Sequence, residues 1–223
     1  RIISFKQVIP DINFYREMIR KAIEYRKSIG ILSDPNINVC RLIHGEGDGL
    51  PGLIVDYYNG VAVTQFHSVG FYRIRKEIVT ILADLMKDQI VAVYDKSEST
   101  LPNMSGITGV NEFLYGNSGP VIVTENGYRF KIDWTTGQKT GFFIDQRENR
   151  KLLARYTEKK NVLNMFGYTG GFSVYAMQNA ALVHTVDSSF PAVEMAKENI
   201  KLNFGDDSRH EAFQADAFEY LNN

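Results

Sequence analysis

Apolar residues recur at helical spacing in two stretches of the first half of the chain. In the first stretch, Asp11 precedes a helical pattern that ends near Gly30, which is the usual order of an N-cap and a C-terminal glycine. In the second stretch, residues 72–86 place isoleucine and leucine on one stripe of a helix. Both stretches are therefore predicted as amphipathic helices.

Apolar runs around these helices predict strands and two hairpins. Asn59-Gly60 and Asn126-Gly127 each separate two such runs, and an Asn-Gly pair is a strong signal for a tight hairpin turn. Residues 95–115 have weak periodicity and many Ser, Gly and Asn residues, so most of this stretch is predicted as loop. The predicted strands are 38–43, 53–58, 61–67, 90–94, 121–124 and 128–134, and a further helix is predicted over 145–156.

From residue 161 onward, short apolar runs alternate with helical patterns. Strands are predicted at 162–165, 182–186 and 210–214, with helices at 170–178, 191–202 and 217–221. Such alternation predicts a parallel sheet with flanking helices. The fold class is therefore α/β, with a small α+β domain over residues 1–118 and a parallel-sheet domain, opened by the hairpin of 121–134, over residues 119–223.

Composition and charge narrow the function classes. Of 223 residues, 44% are hydrophobic and one is cysteine, which excludes disorder, a disulfide framework and a cysteine-rich zinc site. The formal net charge is −1, but residues 126–160 carry nine Lys and Arg against four Asp and Glu, while residues 186–223 carry three against eight. The basic stretch suits contact with nucleic acid, although solvated helix faces give the same pattern.

The sequence also allows an expectation about where the protein is found and whether it is complete. Its apolar runs are short and its cysteine content fits a reducing compartment, so we expect a cytoplasmic protein that does not contact a membrane. Because the sequence does not begin with Met, a fragment of a longer parent is expected.

The segment richest in chemistry is Asn164–Ser173, which reads Asn-Met-Phe-Gly-Tyr-Thr-Gly-Gly-Phe-Ser between a predicted strand and a predicted helix. Backbone at such a turn can approach a ligand closely. Asp187 ends the next strand, where a carboxylate commonly binds both ribose hydroxyls, and Asp216 ends the third. Each feature alone has a structural explanation, as a tight connection or a helix N-cap. Together they predict an adenosine-bearing ligand at the carboxyl edge of the sheet, while the absent G-x-G-x-x-G spacing disfavours a nicotinamide dinucleotide.

A second segment, Gly137–Arg147, reads Gly-Gln-Lys-Thr-Gly-Phe-Phe-Ile-Asp-Gln-Arg. Its Gly-Lys-Thr-like centre is reminiscent of a phosphate-binding loop, but the early glycine and the directly preceding strand of such a loop are missing. Hydrolysis of a nucleoside triphosphate is therefore not expected.

These two segments, together with Val186–Ser188, resemble the class I S-adenosylmethionine-dependent methyltransferases that modify carbon 5 of cytosine in 23S ribosomal RNA. Residues 41–56, Arg-Leu-Ile-His-Gly-Glu-Gly-Asp-Gly-Leu-Pro-Gly-Leu-Ile-Val-Asp, resemble the opening of that family's central domain. The family has an N-terminal PUA domain, a central α/β domain and a C-terminal methyltransferase domain. The resemblance, from about residue 10 onward, implies a truncated Rossmann-like methyltransferase domain after the small central domain, in a fragment that lacks the PUA domain.

The resemblance also implies cofactor-binding residues. The second segment would close over S-adenosylmethionine, the first would contact its methionine moiety, Asp187 would hold the ribose, and Asp216 with Ala217 would face the adenine. A sulfonium cation with a zwitterionic tail suits backbone donors and nearby carboxylates. The implied contacts are Lys139, Thr140, Phe142, Gln146, Arg147, Asn164, Phe166, Tyr168, Thr169, Gly170, Asp187, Asp216 and Ala217.

The catalytic residues remain unassigned. Carbon 5 becomes nucleophilic when a thiolate adds to carbon 6, and the family's Asp-Pro-Pro run and nucleophilic cysteine would lie beyond Asn223. Cys40 is expected to be a buried structural residue, so we expect this fragment by itself to be inactive. The four histidines have no metal-ligand spacing, and no metal site is expected.

Several alternatives stay open. Ribosomal RNA is the expected partner, held in part by the basic stretches of residues 1–29 and 126–160. The acceptor can instead be another RNA base or a small molecule, because likeness in a cofactor site says little about the acceptor. A non-catalytic module that binds cofactor or RNA is the alternative outside enzymes, and a homodimer is a further open question. A nicotinamide-dependent dehydrogenase is the least favoured enzyme.

Overall fold

The computed structural model describes residues 3–102 and 106–222. These residues form two compact units. The first falls within residues 1–123 and 132–141, and the second within residues 124–131 and 142–223. The division passes through the hairpin of β6 (Val121–Glu125) and β7 (Tyr128–Ile132). The domain boundary between residues 118 and 119 stays a prediction.

The first unit contains a five-stranded sheet in the order β1-β2-β3-β4-β5. All neighbouring pairs are antiparallel except β3 and β4, which are parallel and are joined through helices. The strands are β1 (Val39–His44), β2 (Leu53–Tyr58), β3 (Val61–Phe66), β4 (Ala92–Lys96) and β5 (Asn111–Tyr115).

Among the described residues of the first unit, three α-helices bury residues that join the sheet in one hydrophobic core. The first begins where the sequence predicts, because the Asp11 carboxylate accepts a hydrogen bond from the Phe14 N–H at 2.8 Å. Cys40 lies in this core with 2% of its surface exposed, as expected for a structural thiol. The helices are α1 (Ile12–Ser28), α2 (Val69–Arg73) and α3 (Arg75–Leu85).

The second unit contains a parallel three-stranded sheet in the order β10-β9-β8. The α/β class and the alternation of strands and helices are thereby confirmed. Buried alanine and valine residues of α6 supply part of its core, and Pro191 occupies the first turn of that helix, where no N–H is needed. The elements are α4 (Arg147–Ala154), β8 (Asn161–Met165), α5 (Gly171–Ala176), β9 (Leu182–Asp187), α6 (Phe190–Phe204), β10 (His210–Gln214) and α7 (Ala217–Leu221).

Several elements end one or two residues from their predicted bounds, and two differ from the sequence prediction by more than that. The helix predicted over 72–86 is two helices in the structure. The short α2 begins after Ser68, which caps it by accepting from the Phe71 N–H, and Ile74 separates α2 from α3. Residues 111–115, predicted as loop, form the edge strand β5, whose residues are all half-buried or exposed and so lack a strong apolar alternation. Within the described ranges, no helix has both the length and the apolar character that crossing a membrane requires.

Candidate cofactor site

The loop between β8 and α5 has an unusual backbone. Phe166 and Tyr168 have φ angles of 54° and 46°, in the left-handed region that side chains rarely adopt, and Gly170 has a φ of 75° as the residue that precedes α5. The Gly167 N–H donates to the Val186 carbonyl at 2.9 Å and thereby fixes the loop to the end of β9. Strain of this kind tends to accumulate at functional sites.

The glycines of this loop are required by packing. A Cβ on Gly167 would lie 2.4 Å from Thr185 Cγ2, and a Cβ on Gly170 would lie 2.9 Å from Ala196 Cβ and 3.0 Å from its Cα. The Thr169 carbonyl also accepts from Asn199 Nδ2 at 2.9 Å. Helix α6 therefore supports the loop closely, and the glycine pattern has a structural cause alongside any role in binding.

Asp187 joins the loops that follow β8 and β9. Its Oδ2 accepts from the Tyr168 N–H and its Oδ1 from the Ser189 N–H, both at 2.9 Å. Because an ionised carboxylate has about four acceptor positions, each oxygen can accept a further bond from a ligand hydroxyl. The structure thus brings Asp187 into direct contact with the glycine-rich loop.

Asp216 does not end the third strand, contrary to the sequence prediction: β10 ends at Gln214, and Asp216, two residues later, is the N-cap of α7. Its Oδ1 accepts from the N–H groups of Phe218 and Glu219 at 2.8 and 3.2 Å, which is the helix N-cap role given above as its structural explanation. The Ala215 N–H donates to the Asp187 carbonyl at 3.1 Å, so the ends of β9 and β10 are linked. Ala217 is buried.

Two exposed aromatic side chains lie close to these strand ends in the sequence. Phe166 directly follows β8 and is 75% exposed, and Phe218, in the first turn of α7, is 74% exposed. The sequence motifs do not include Phe218, although it lies only two residues after Asp216. An exposed ring beside polar backbone is a surface on which a flat ligand can pack.

A series of hydrogen-bonded polar side chains lies beneath the loop. Only its first member, Asn164, is among the predicted cofactor contacts. Asn164 Nδ2 donates to Ser173 Oγ at 2.8 Å, Ser173 pairs with Thr185 Oγ1 at 2.6 Å, and Thr185 pairs with His210 Nε2 at 2.8 Å. Burial, followed by the charges of His184 and Lys197, lowers the pKa of His210 to about 4, so the imidazole is neutral near pH 7. The Asn164 amide is therefore held from within the protein.

The second predicted segment is divided between the units. Phe142 is buried in the second unit, with its ring 5.1 Å from that of Phe130 and with the Arg150 guanidinium 4.5 Å above it. Arg147 pairs with buried Glu125 at 3.4 Å, and Gln146 bonds to neighbours on its own turn and on α4.

The two remaining predicted contacts, Lys139 and Thr140, belong to the first unit. Lys139 is exposed with a φ of 48°. Thr140 is buried, donates to Asp56 Oδ2 at 2.6 Å and lies 3.0 Å from the Tyr58 hydroxyl. Its hydroxyl therefore has a structural role that the sequence did not reveal.

Comparison with known families identifies the family of this chain. Residues 40–221 match the family model described as S-adenosylmethionine-dependent methyltransferase. The chain belongs to this family. The prediction of S-adenosylmethionine as cofactor is thereby confirmed for the family, and the methyltransferase fold expected from the resemblance is confirmed as well.

Individual relatives extend the comparison. A protein of Alteromonas mediterranea named ribosomal RNA large subunit methyltransferase I is 39% identical over 214 residues, which are 95% of this chain and 53% of the relative. A solved structure from Streptococcus mutans, described as a SAM-dependent methyltransferase, has 26% identity and a TM-score of 0.87 over 99% of this chain and 57% of its own. A solved methyltransferase in complex with SAH has the same identity and TM-score, over 99% of this chain and 56% of its own. The chain thus spans about half the length of the proteins it matches.

Proposed function

We propose that this protein binds S-adenosylmethionine at the carboxyl ends of β8, β9 and β10 and serves the methylation of ribosomal RNA. The observation that carries the proposal is the Asp187 carboxylate, which bonds to the N–H groups of Tyr168 and Ser189 and retains acceptor positions for two ribose hydroxyls. The two backbone donors fix the carboxylate before the ligand arrives, so little entropy is lost on binding.

The surrounding residues suit the same ligand. When bound, S-adenosylmethionine supplies a methyl group on a positively charged sulfur. Asp187 contributes negative charge in the acidic C-terminal region, and the exposed ring of Phe218 offers an apolar face for adenine beside Asp216. The other implied cofactor contacts are proposed on the resemblance alone. The division into domains of residues 1–118 and 119–223 is proposed on the pattern of strands and helices in the sequence.

Ribosomal RNA is proposed as the substrate because the relatives point to it. The Alteromonas protein is named for the large ribosomal RNA, and so is a relative from Pseudoalteromonas translucida that is 35% identical over 226 residues. Carbon 5 of cytosine is the acceptor that we propose. In that reaction a thiolate adds to carbon 6, carbon 5 takes the methyl group, and loss of the carbon 5 proton expels the thiolate. Cys40 is 2% exposed within β1, so we propose that it is not this nucleophile.

Calorimetric titration with S-adenosylhomocysteine tests the cofactor proposal. We expect one site, at least tenfold weaker binding by Asp187→Ala and by the closer mimic Asp187→Asn, and unchanged binding by Asp206→Ala, which removes an exposed carboxylate of the same unit. NAD serves as the control ligand. Binding of NAD in place of S-adenosylhomocysteine, or equal affinity in all variants, would overturn the proposal.

Nucleoside analysis tests the acceptor. Large-subunit RNA from cells that lack the protein should lose 5-methylcytidine at one position, and the gene supplied in trans should restore it. Loss of a different methylated nucleoside would replace cytosine with another base. An unchanged set of methylated nucleosides would contradict ribosomal RNA as the substrate.

A further inference from the structure

The nine cations of residues 126–160 fall into groups according to their partners. Lys139 belongs to the first unit. Four are bound to other groups inside the second unit: Arg129, Lys131, Arg147 and Arg150. Four more are exposed, and the structure shows no ion pair for them within residues 3–102 and 106–222: Lys151, Arg155, Lys159 and Lys160. The structure thus selects, from a long basic stretch, the charges that remain available to a partner.

Two of the available cations line a cavity of about 360 Å³ in the second unit. The cavity lies between the turn of the β6–β7 hairpin, the end of α4 and the residues that follow α5. Its walls include Asn126, Tyr128, Lys151, Arg155, Gln178 and Asn179. The lining, which also includes Tyr175, therefore combines two positive charges, three amide side chains and two aromatic rings.

The inner wall of this cavity is fixed by buried contacts. The Tyr175 hydroxyl donates to Glu125 Oε1 at 3.0 Å and accepts from Asn126 Nδ2 at 2.9 Å. The ring of Tyr128 packs on that of Tyr175 with 4.6 Å between centroids. Burial raises the pKa of both tyrosines, so their hydroxyls stay protonated. A ligand would meet a wall that is already ordered.

The cavity is separate from the candidate cofactor site. The Lys159 N–H donates to the carbonyl of Asn179, one of the wall residues, at 2.9 Å, just before β8 begins at Asn161. The cavity therefore borders the amino end of β8, whereas the loops around Asp187 follow the carboxyl ends of β8 and β9.

We propose that this cavity and the four exposed cations form a binding site for one nucleotide of single-stranded RNA and its neighbouring phosphates. Lys151 and Arg155 would bind the phosphate, the amides would bond to the edge of the base, and Tyr128 would contact its face. These are the contacts by which proteins hold unpaired RNA. The inference rests on the proposed RNA substrate and adds a second point of attachment, away from the reacting base.

Fluorescence anisotropy with a labelled twelve-nucleotide oligouridine RNA tests this site. The variant Lys151→Gln/Arg155→Gln should raise the dissociation constant at least fivefold and reduce the salt slope of the log affinity by about 1.4, since each phosphate contact to a single strand contributes about 0.7. The matched control Lys197→Gln/Lys201→Gln removes the same charge from exposed positions of α6 and should change the constant less than twofold. Tyr128→Leu should weaken binding several-fold with an unchanged salt slope.

The outcomes separate this inference from the proposed function. Equal effects of the cavity variant and the α6 control would overturn the site, while S-adenosylhomocysteine binding would leave the cofactor proposal standing. A wild-type protein that binds S-adenosylhomocysteine but not RNA would overturn both the site and the RNA substrate. Selective loss of RNA binding in the cavity variant, with no binding of S-adenosylhomocysteine by any form, would support the site and reject the methyltransferase proposal.

Discussion

Glu125 is a carboxylate with no exposed surface, and several partners compensate its charge. Arg150 donates to it twice at 2.8 Å, Tyr175 at 3.0 Å and Arg147 at 3.4 Å. Removing one partner from a buried ion pair leaves the other uncompensated in a medium of low polarity. We expect Glu125→Gln to lower the free energy of unfolding by about 3 kcal/mol, measured by urea unfolding followed by circular dichroism.

The exposed Glu148 on α4 provides the control for this prediction. Glu148→Gln should change the free energy of unfolding by less than about 0.5 kcal/mol, as is usual for surface substitutions. A loss of similar size in both variants would show that the cost comes from overall charge and not from the buried pair.

The low pKa of His210 makes the free energy of unfolding of the second unit depend on pH. Its pKa is about 4 in the folded protein against an ordinary value of 6.5, so the unfolded chain binds the proton more readily between these values. The free energy of unfolding should therefore fall as the pH drops from 6.5 to 4, because protonation favours the unfolded state.

Urea unfolding at pH 7, 5.5 and 4.5 measures this effect as the difference between the wild type and His210→Gln, which cannot titrate. The wild type should lose more stability than the variant across this range. Parallel pH profiles would contradict the low pKa of His210.

At the scale of elements, the junction of the β8 loop with α5 depends on a glycine for two separate reasons. Gly170 has a φ of 75°, and a Cβ there would lie 2.9 Å from Ala196 on α6. Gly127, in the turn of the β6–β7 hairpin, also has a positive φ, 84°, and open space around its Cβ position. We expect Gly127→Ala to cost about 1 kcal/mol through backbone strain and Gly170→Ala to cost about 1–3 kcal/mol more through crowding.

Thermal unfolding of the two variants measures that difference, and equal melting temperatures would refute the close contact between the loop and α6. If the loop is displaced, Gly170→Ala should also weaken S-adenosylhomocysteine binding, whereas Gly127→Ala should not.

Thr140 ties the segment after β7 to strand β2. It donates to buried Asp56 and lies within hydrogen-bond distance of the Tyr58 hydroxyl. Thr140→Val keeps the shape and removes both bonds, which should lower the free energy of unfolding by about 1–3 kcal/mol because polar groups are left unpaired in the interior. Thr80→Val, at an exposed position of α3, is the control for chemical unfolding and should have almost no effect. Equal stability of the two variants would contradict this anchoring role.

At the scale of the whole molecule, the sequence predicted local patterns well and long-range pairings poorly. Strand β10 and helix α7 have the predicted bounds, because a short apolar run and an N-cap at Asp216 are local signals. Arg150 lies 25 positions from its partner Glu125, and Asp56 lies 84 positions from Thr140, and no local pattern encodes such pairings. The sequence pattern also fails to predict edge strand β5. Its residues do not alternate between apolar and polar, and its hydrogen bonds to β4 are what make it a strand.

The candidate site shows the same division. Asp187 is predicted as a ribose contact from its position at the end of a strand, and the structure adds the hydrogen bond from the Tyr168 N–H to its carboxylate, while the ribose contact itself stays a prediction. The support beneath the loop, from Asn164 through Ser173 and Thr185 to His210, joins three strands and a helix and became visible only in the fold. Motifs thus indicate candidate ligand contacts, while the residues that hold those candidates in place are found only from the packing of the fold.

Ligand binding should therefore stabilise the molecule unevenly. At a hundred times its dissociation constant, a ligand that binds only the folded form adds about 2.7 kcal/mol to stability, and the amides nearest the ligand gain the most direct protection. We expect S-adenosylhomocysteine to slow hydrogen exchange most in residues 166–170 and 187–189, as measured by mass spectrometry of peptides. Strands β1 to β4 of the first unit serve as the internal reference, and Asp187→Ala should abolish the selective protection. Protection spread evenly over both sheets, or absent from the loop after β8, would contradict a cofactor site at Asp187, because a local contact must be visible first in the backbone that forms it.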